Sequence, residues 1–315
     1  MSARKVLITG ANGYVGTNLV AALAGSCSLR CLVRKGQSFR ESLGAFLPPA
    51  ELKSIEVVEA DVRDREAVRR ACREMESVVH LAALTSDEDP SQFELLQVNL
   101  LGTEAVLEGA AAAGGLRVIF PSTYHVYGRL KSLPPGPVGE ETPLKPASLY
   151  AASKAVGESL ARSADVNEVI VRLPHLYGVG CGAGDWGGVL LRFIDQAVQD
   201  SAITLDAGAA DVRDYLHISD TVACLRVLAL AAGPLRGTFN AGSGQPVTLR
   251  EMAQWIAEGI GRSKGRPVEV RGPAAAESPA RAFLDTGKLR SQTGFAPAVA
   301  PRRGIEELLE RLVPA

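Results

Sequence analysis

The chain has no run of about 18 consecutive apolar residues, the length a membrane-spanning helix requires, so no membrane association is expected. Its first ten residues lead straight into a strand pattern. No basic-then-apolar leader with a small-residue cleavage site precedes it, and a cytoplasmic protein is expected. Five cysteines, Cys27, Cys31, Cys72, Cys181 and Cys224, are odd in number and irregular in spacing, with no Cys-x-x-Cys pair. That spacing speaks against a zinc site or a dithiol centre; no metal is expected, and buried reduced thiols are. Neither sign of charge is in excess: 34 Lys and Arg stand against 35 Asp and Glu, for a net charge of −1. The basic residues are spread along the chain and form no stripe, so nucleic acid is not an expected partner. No internal repeat and no low-complexity tail are present.

What is there is an ordinary globular composition, 46% apolar and 22% charged over 315 residues. The length suits one large α/β domain with a smaller lobe, or two modest domains. Short apolar runs occur at Val6–Ile8, Leu29–Val33, Ile55–Val58, Val78–His80, Val118–Phe120 and Val169–Val171. They are near-continuous rather than alternating, as in strands buried on both faces of a parallel sheet. Helix-like segments at Tyr14–Ala24, Arg65–Arg73 and Leu100–Ala113 lie between them. This alternation predicts an α/β fold, a Rossmann-type doubly wound parallel sheet with right-handed crossovers. The second half is looser. Gly178–Gly188 reads as a Gly-rich loop, and Pro134–Pro137 as a surface connection near the site. Leu190–Gln199, Leu249–Gly259 and Gly304–Leu312 read as helices, with extended pieces at Asp214–Ile218 and Gly237–Asn240.

The first run leads into Gly10-Ala11-Asn12-Gly13-Tyr14-Val15-Gly16. Gly10 permits a tight turn, Gly13 lets the backbone approach a pyrophosphate, and Gly16 lets the helix pack against the sheet. The N–H groups at the helix start then bind phosphate. The strand before and the helix after give this pattern its context as a dinucleotide loop. Many NAD sites carry an acid about 20 residues further on. This chain has Val33-Arg34-Lys35 there. An arginine pairs with a 2′-phosphate, which favours NADP over NAD.

Tyr150-Ala151-Ala152-Ser153-Lys154 places a phenol and an ammonium one helical turn apart. The cation favours the phenolate and brings its pKa towards the working range. Thr123, upstream at the end of the fifth strand, adds a hydroxyl that holds the substrate oxygen. A carbonyl held between two hydroxyls is polarised for hydride attack.

Taken in order, further stretches make a resemblance plain: Asp61-Val62-Arg63-Asp64; Val79 to Ala83; Asn99 with Gly102-Thr103; Ser122 to Gly128; Tyr150 to Lys154 with Glu158; Arg172 to Gly178; Arg213 to His217 with Asp220; and Asn240 to Gly244. The chain resembles the extended short-chain dehydrogenase/reductases, the NAD-dependent epimerase/dehydratase family, over nearly its whole length. The resemblance implies that Asp61 and Val62 meet the adenine end and that Leu81, Ala82 and Ala83 line the cofactor cleft. It implies Tyr150 as acid/base, Lys154 as its partner and Thr123 as the third member. The Pro174–Leu176 segment passes close to the nicotinamide, and Arg213 matches an arginine that holds a diphosphate. Asn99 is expected as a hydrogen-bond relay behind the cofactor. Thr85, His125 and His175 are placed with Thr123, Tyr150 and Arg213 on the substrate side. Residues 1–176 with about 213–242 are expected to form the dinucleotide-binding domain, and 177–212 with 243–315 the substrate-binding lobe. A homodimer is expected from the same resemblance.

Three departures bear on the substrate. Tyr124 and His125 stand where dehydratase members carry Asp and Glu, which speaks against 4,6-dehydration. His175 replaces an asparagine that commonly touches phosphate. Ala274-Ala275-Ala276-Glu277-Ser278 stands where a second diphosphate clamp is often found. His125 is either an extra acid/base or substrate group or a structural polar residue. Trp186, beside Asp185, either stacks on a substrate ring or anchors its loop. His80 and His217 are expected to be structural. The leading reading is an NAD(P)-dependent nucleotide-sugar epimerase or ketoreductase. Alternatives are an NADPH-dependent reductase of a small ketone or aldehyde, and a non-catalytic dinucleotide sensor.

Overall fold

The computed structural model describes residues 4–85, 91–181, 188–273 and 279–313. The chain begins with β1 (Lys5–Thr9), α1 (Tyr14–Leu23), β2 (Ser28–Val33), α2 (Gly36–Gly44), α3 (Pro49–Ser54), β3 (Glu56–Glu59), α4 (Arg65–Cys72) and β4 (Ser77–His80). It continues through α5 (Gln92–Leu96), a π-turn (Gln97–Leu101), α6 (Gly102–Ala112), β5 (Arg117–Thr123), a 3-10 turn (Tyr124–Tyr127), β6 (Gly136–Val138), α7 (Leu149–Ser163) and β7 (Asn167–Leu173). Next come β8 (His175–Tyr177), α8 (Gly188–Asp200), β9 (Ala202–Thr204), β10 (Val212–Arg213), β11 (Tyr215–His217), α9 (Ile218–Leu230) and β12 (Gly237–Asn240). The chain closes with β13 (Val247–Thr248), α10 (Leu249–Lys264), β14 (Glu269–Arg271), β15 (Ala282–Leu284), α11 (Gly287–Thr293) and α12 (Pro301–Leu312).

The apolar runs form a seven-stranded parallel sheet in the order β12-β7-β5-β4-β1-β2-β3. Because successive side chains alternate across a strand, each run feeds two cores. Val6 and Ile8 join Val79, Ile119 and Val171 on one face, packed with Leu19 of α1 and Leu225 of α9. Leu7 and Val78 join Val118, Phe120 and Ile170 on the other, packed with Val68 of α4 and Val106 of α6. The order reverses between β1 and β4, and the C-terminal ends of these two strands open there into a crevice, the usual place for a ligand in a doubly wound sheet. The sheet is completed only by β12, after the chain has run through β8 to α9.

A separate core gathers Leu190 and Phe193 of α8, Met252 and Ile256 of α10, and Ile305 and Leu308 of α12. Short strand pairs attach these C-terminal elements: β8 with β11, β10 with β13, β9 with β14 and β6 with β15. The Pro134–Pro137 stretch is thus not a bare connection, since Gly136 and Pro137 enter β6 opposite Ala282 and Phe283. Among the described residues, no helix is long and apolar enough to cross a membrane.

Candidate active site

Gly10 turns the chain out of β1 at φ 65°, where a Cβ would lie 2.6 Å from the backbone nitrogen of Ala82. A Cβ on Gly16 would lie 2.3 Å from the Gly10 carbonyl oxygen, so α1 sits directly on the turn. Gly13 is different: its nearest obstacle is the Gly10 oxygen at 3.3 Å, and its open side faces a cleft. No side chain caps the start of α1, which leaves its first N–H groups and the positive end of its dipole to an anion.

The cleft has a volume of about 350 Å³. It is lined by Gly10, Asn12, Gly13 and Tyr14, by Arg34, by Asp61 and Val62, and by Leu81, Ala82 and Ala83. Ten residues singled out in the sequence therefore share one cavity. Leu32, Val33, Ala60, Leu84 and Val98 line it as well and were missed. For the first four the signal was position, at or just past the C-terminal ends of β2, β3 and β4, rather than chemistry, while Val98 comes from the π-turn. Val15, Gly16, Asn99, Pro174 and Leu176 do not line it. The glycine cradle, the uncapped helix start and the extended cleft fit a dinucleotide.

Below this cleft His80 is fully buried, and burial lowers its pKa to about 3, so it is neutral. Thr103 donates its hydroxyl to the Asn99 carbonyl at 2.6 Å. Its oxygen is then free to accept from His80 Nε2 at 3.1 Å, which leaves Nδ1 to accept from Thr9 Oγ1 at 2.8 Å. One tautomer satisfies the whole chain. Asn99 sits in the π-turn. Its amide accepts from Leu84 N and donates to Leu84 O and to Ser153 Oγ, at 2.8, 3.0 and 2.9 Å. Ser153 in turn donates to the Tyr150 carbonyl at 2.8 Å. The relay expected of Asn99 thus joins the segment ahead of Thr85 to the first turn of α7.

Tyr150 is half-buried at the start of α7, where the Ser148 hydroxyl caps the helix through Ala151 N. Lys154, one turn on, is fully buried, and its Nζ donates to the Pro121 carbonyl at 2.9 Å. Burial lowers its pKa to about 8, while the nearby Glu158 carboxylate raises it. Pro121 lies two residues before Thr123. Thr123 is buried, and its hydroxyl oxygen accepts from His125 N at 3.3 Å, which starts the 3-10 turn.

That turn presents a wall of rings. Tyr124 and His175 share a hydrogen bond of 2.6 Å. The ring of His125 lies 4.1 Å from that of Tyr124, and His175 stacks on Tyr215 at 5.2 Å because β8 and β11 pair these two residues directly. Burial, with smaller contributions from His125 and Arg213, lowers the His175 pKa to about 3, and burial raises that of Tyr124 above the ordinary phenol range. Both are therefore neutral near pH 7. Arg213 is half-buried beside them and donates to the Gly208 carbonyl at 3.4 Å. Arg213 and Pro174 also line a small apolar pocket with Tyr124 and Tyr127. His217 caps α9 through Ser219 N. Asp185, Trp186 and Ala274 to Ser278 lie outside the described residues. No group of three His, Cys, Asp or Glu side chains among the described residues is placed to hold a metal.

The sequence model of the NAD dependent epimerase/dehydratase family matches residues 6–242. The chain is 28% identical to a dTDP-glucose 4,6-dehydratase of Streptomyces niveus, over 97% of this chain and 92% of the relative. It is 29% identical to a UDP-glucose 4-epimerase of Mycolicibacterium smegmatis, over 97% of both. The Bordetella bronchiseptica enzyme WbmG, solved in complex with NAD and UDP, superposes with a TM-score of 0.79 at 26% identity, covering 98% of this chain and 94% of that one.

These relatives correct one expectation. Solved relatives at 25–26% identity were determined with NAD, so NAD and not NADP is favoured. The structure gives a physical reason. Arg34 lines the cleft, but its charge acts on Asp61, whose carboxylate is already gripped by Arg63 at 2.9 and 2.7 Å. Glu59 accepts from Gly36 N at 2.9 Å nearby. Asp61 thus draws on the Arg34 charge that a 2′-phosphate would need.

Proposed function

The chain belongs to the NAD dependent epimerase/dehydratase family, and from that premise we propose that it is an NAD-dependent enzyme moving a hydride at a sugar carbon of a nucleotide sugar. The observation that supports this best is Lys154: a buried ammonium one turn from Tyr150, bonded to the strand end that carries Thr123. NAD, when bound, supplies the hydride acceptor and donor. Gly10, Asn12, Gly13, Tyr14, Val15 and Gly16 are assigned to its phosphates, and Asp61 and Val62 to its adenine end. Leu81 to Ala83, Asn99, Pro174 and Leu176 are assigned to its nicotinamide half with Lys154. Tyr150 accepts the proton of the sugar hydroxyl, and the Lys154 charge stabilises the phenolate before that transfer. Thr123 donates to the same oxygen as it becomes a carbonyl. In an epimerase the keto sugar turns over and Tyr150 returns the proton. Thr85, His125, His175 and Arg213 are assigned to the sugar and its diphosphate, with residues 1–176 and about 213–242 holding the dinucleotide and 177–212 and 243–315 the substrate.

Two points favour epimerisation over ketoreduction or dehydration. The case for a reductase drew on NADPH, which the relatives do not support. Tyr124, kept neutral by burial and bonded to His175, stands where dehydratase members carry a carboxyl group and offers none for expelling water. We also propose a cytoplasmic homodimer. The cysteines are all unpaired, which suits a reducing compartment. Phe93, Leu101 and Val156 are exposed on α5, the π-turn and α7, which pack together. Light scattering tests the dimer.

The deciding experiment is to denature the purified protein, identify any released nucleotide by mass and absorbance, and follow UDP-glucose with the intact enzyme by chromatography. Stoichiometric NAD and conversion to UDP-galactose is the expected result. A protein free of nucleotide that prefers NADPH overturns the epimerase reading.

A further inference from the structure

Tyr150, Lys154 and Glu158 follow one another at four-residue spacing along one face of α7. Glu158, two turns beyond Tyr150, is completely buried. Its carboxylate receives four hydrogen bonds. Oε1 accepts from Ser122 Oγ at 2.6 Å and from Arg172 Nε at 3.0 Å. Oε2 accepts from Arg172 Nη2 at 2.7 Å and from Arg162 Nη1 at 3.3 Å. Arg172 is itself fixed, since Nη1 donates to Tyr127 Oη at 2.8 Å and to the Glu140 carbonyl at 2.9 Å. Tyr127 then donates to Asn240 Oδ1 at 2.7 Å.

The placement ties two elements together next to the candidate chemistry. At the end of β5, Pro121 accepts from Lys154, Ser122 donates to Glu158, and Thr123 follows. Consecutive residues of one strand are thus pinned to consecutive turns of one helix. The groups facing Lys154 from other elements supply no negative charge: the neutral His80 on β4, and the Phe120 ring at 4.8 Å and the Pro121 carbonyl on β5. Among the described residues, Glu158 is the carboxylate acting on it. A buried ammonium without such a partner gives up its proton.

We propose that Glu158 is a positioning residue that holds the strand end bearing Thr123 against α7 and supplies the counter-charge that keeps the buried Lys154 protonated at neutral pH. The proposal rests on the roles assigned to Tyr150 and Lys154. It identifies a group that acts through Lys154 rather than on substrate. A carboxylate about 6 Å away in a medium of intermediate polarity moves such a titration by about one to two pH units.

The test is a carbon NMR titration of the protein labelled at lysine Cε, with the Lys154 signal assigned by its loss in Lys154→Met. In the wild type the midpoint is expected near pH 8. In Glu158→Gln it is expected at least about one unit lower. A midpoint that stays in place in a folded Glu158→Gln protein, as judged by its thermal transition, overturns the proposal. Should that variant not fold, Arg162→Ala replaces it. Arg162 is partly exposed and its loss strips one cation from the carboxylate, so the Lys154 midpoint rises, and an unmoved midpoint overturns the proposal. The titration needs no substrate. Its failure is therefore distinguishable from failure of the catalytic reading, which is judged by turnover of Tyr150→Phe.

Discussion

Two alanine substitutions three residues apart, at Gly13 and Gly16, should separate the binding role of the glycine loop from its packing role. In Gly16→Ala the new methyl carbon lies 2.3 Å from the Gly10 oxygen and 2.8 Å from Ala11, all backbone atoms, so α1 must be pushed off the turn. The gain in helix propensity, about 1 kcal/mol, is outweighed by an overpacking cost of about 1–3 kcal/mol or more. The close approach to backbone puts the cost at the top of that range, so the net loss expected is about 2 kcal/mol, or roughly 3 °C in Tm for a chain of this size. In Gly13→Ala the new carbon meets only the Gly10 oxygen, at 3.3 Å, and φ is −77°, which alanine adopts freely. Stability should fall by less than about 1 kcal/mol, the cost of alanine at a helix N-cap. The methyl nevertheless stands on the open side facing the cleft, and NAD affinity should drop about 10- to 100-fold, or about 1.4–2.7 kcal/mol. Thermal unfolding and calorimetric titration with NAD, both on protein stripped of its bound nucleotide, measure the two quantities. Wild-type NAD affinity in Gly13→Ala would refute the phosphate-loop reasoning, and an unchanged Tm in Gly16→Ala would refute the packing argument.

Three further outcomes are expected. Tyr150→Phe should lose about 10³-fold in turnover of UDP-glucose while NAD titrates as in the wild type; retained turnover removes Tyr150 from the chemistry. Arg34→Ala should change NAD affinity by less than about threefold, the effect of a rim charge already faced by Asp61, and a larger loss by calorimetry would restore Arg34 as a main cofactor contact. Lys154 titrates at about 8 in the fold against 10.5 for an ordinary lysine. Between those values the unfolded chain binds more protons than the native one, so this group makes stability rise with pH. In urea unfolding from pH 8 to 10, the wild type should gain on Lys154→Met by a few kcal/mol at most, and a constant difference would contradict the buried, charged lysine.

The sheet was legible because its signal is local. Each apolar run became a strand, with bounds shifted by up to three residues, and Tyr14–Ala24 and Arg65–Arg73 became α1 and α4 almost unchanged. What was not legible depends on contacts distant in sequence. The helix read at Leu100–Ala113 begins only after a π-turn, whose extra residue turns Asn99 inward to Leu84 and Ser153. β8 and β11 are three residues each, too short for a periodicity, and exist because they pair with one another. In the site, the glycine loop and the Tyr150/Lys154 spacing could be read as chemistry. The Tyr124–His175 bond could not, since it joins residues 51 apart in sequence. Arg34 did not mark an NADP site because its charge acts on Asp61, which follows the neighbouring strand β3 and could not be placed beside it from the sequence.

The late arrival of β12 has a consequence for how this protein is made. Until residues 237–240 emerge from the ribosome, β7 is the border of the growing sheet, a seven-residue strand whose Val169, Ile170 and Val171 are fully buried in the finished protein. An uncovered strand of that kind is a template for pairing with another copy. The nascent chain carries this sticky border through the synthesis of more than sixty further residues, from the end of β7 to the start of β12. Truncations that end inside that interval should accumulate as aggregates, whereas those ending beyond Asn240 close the border.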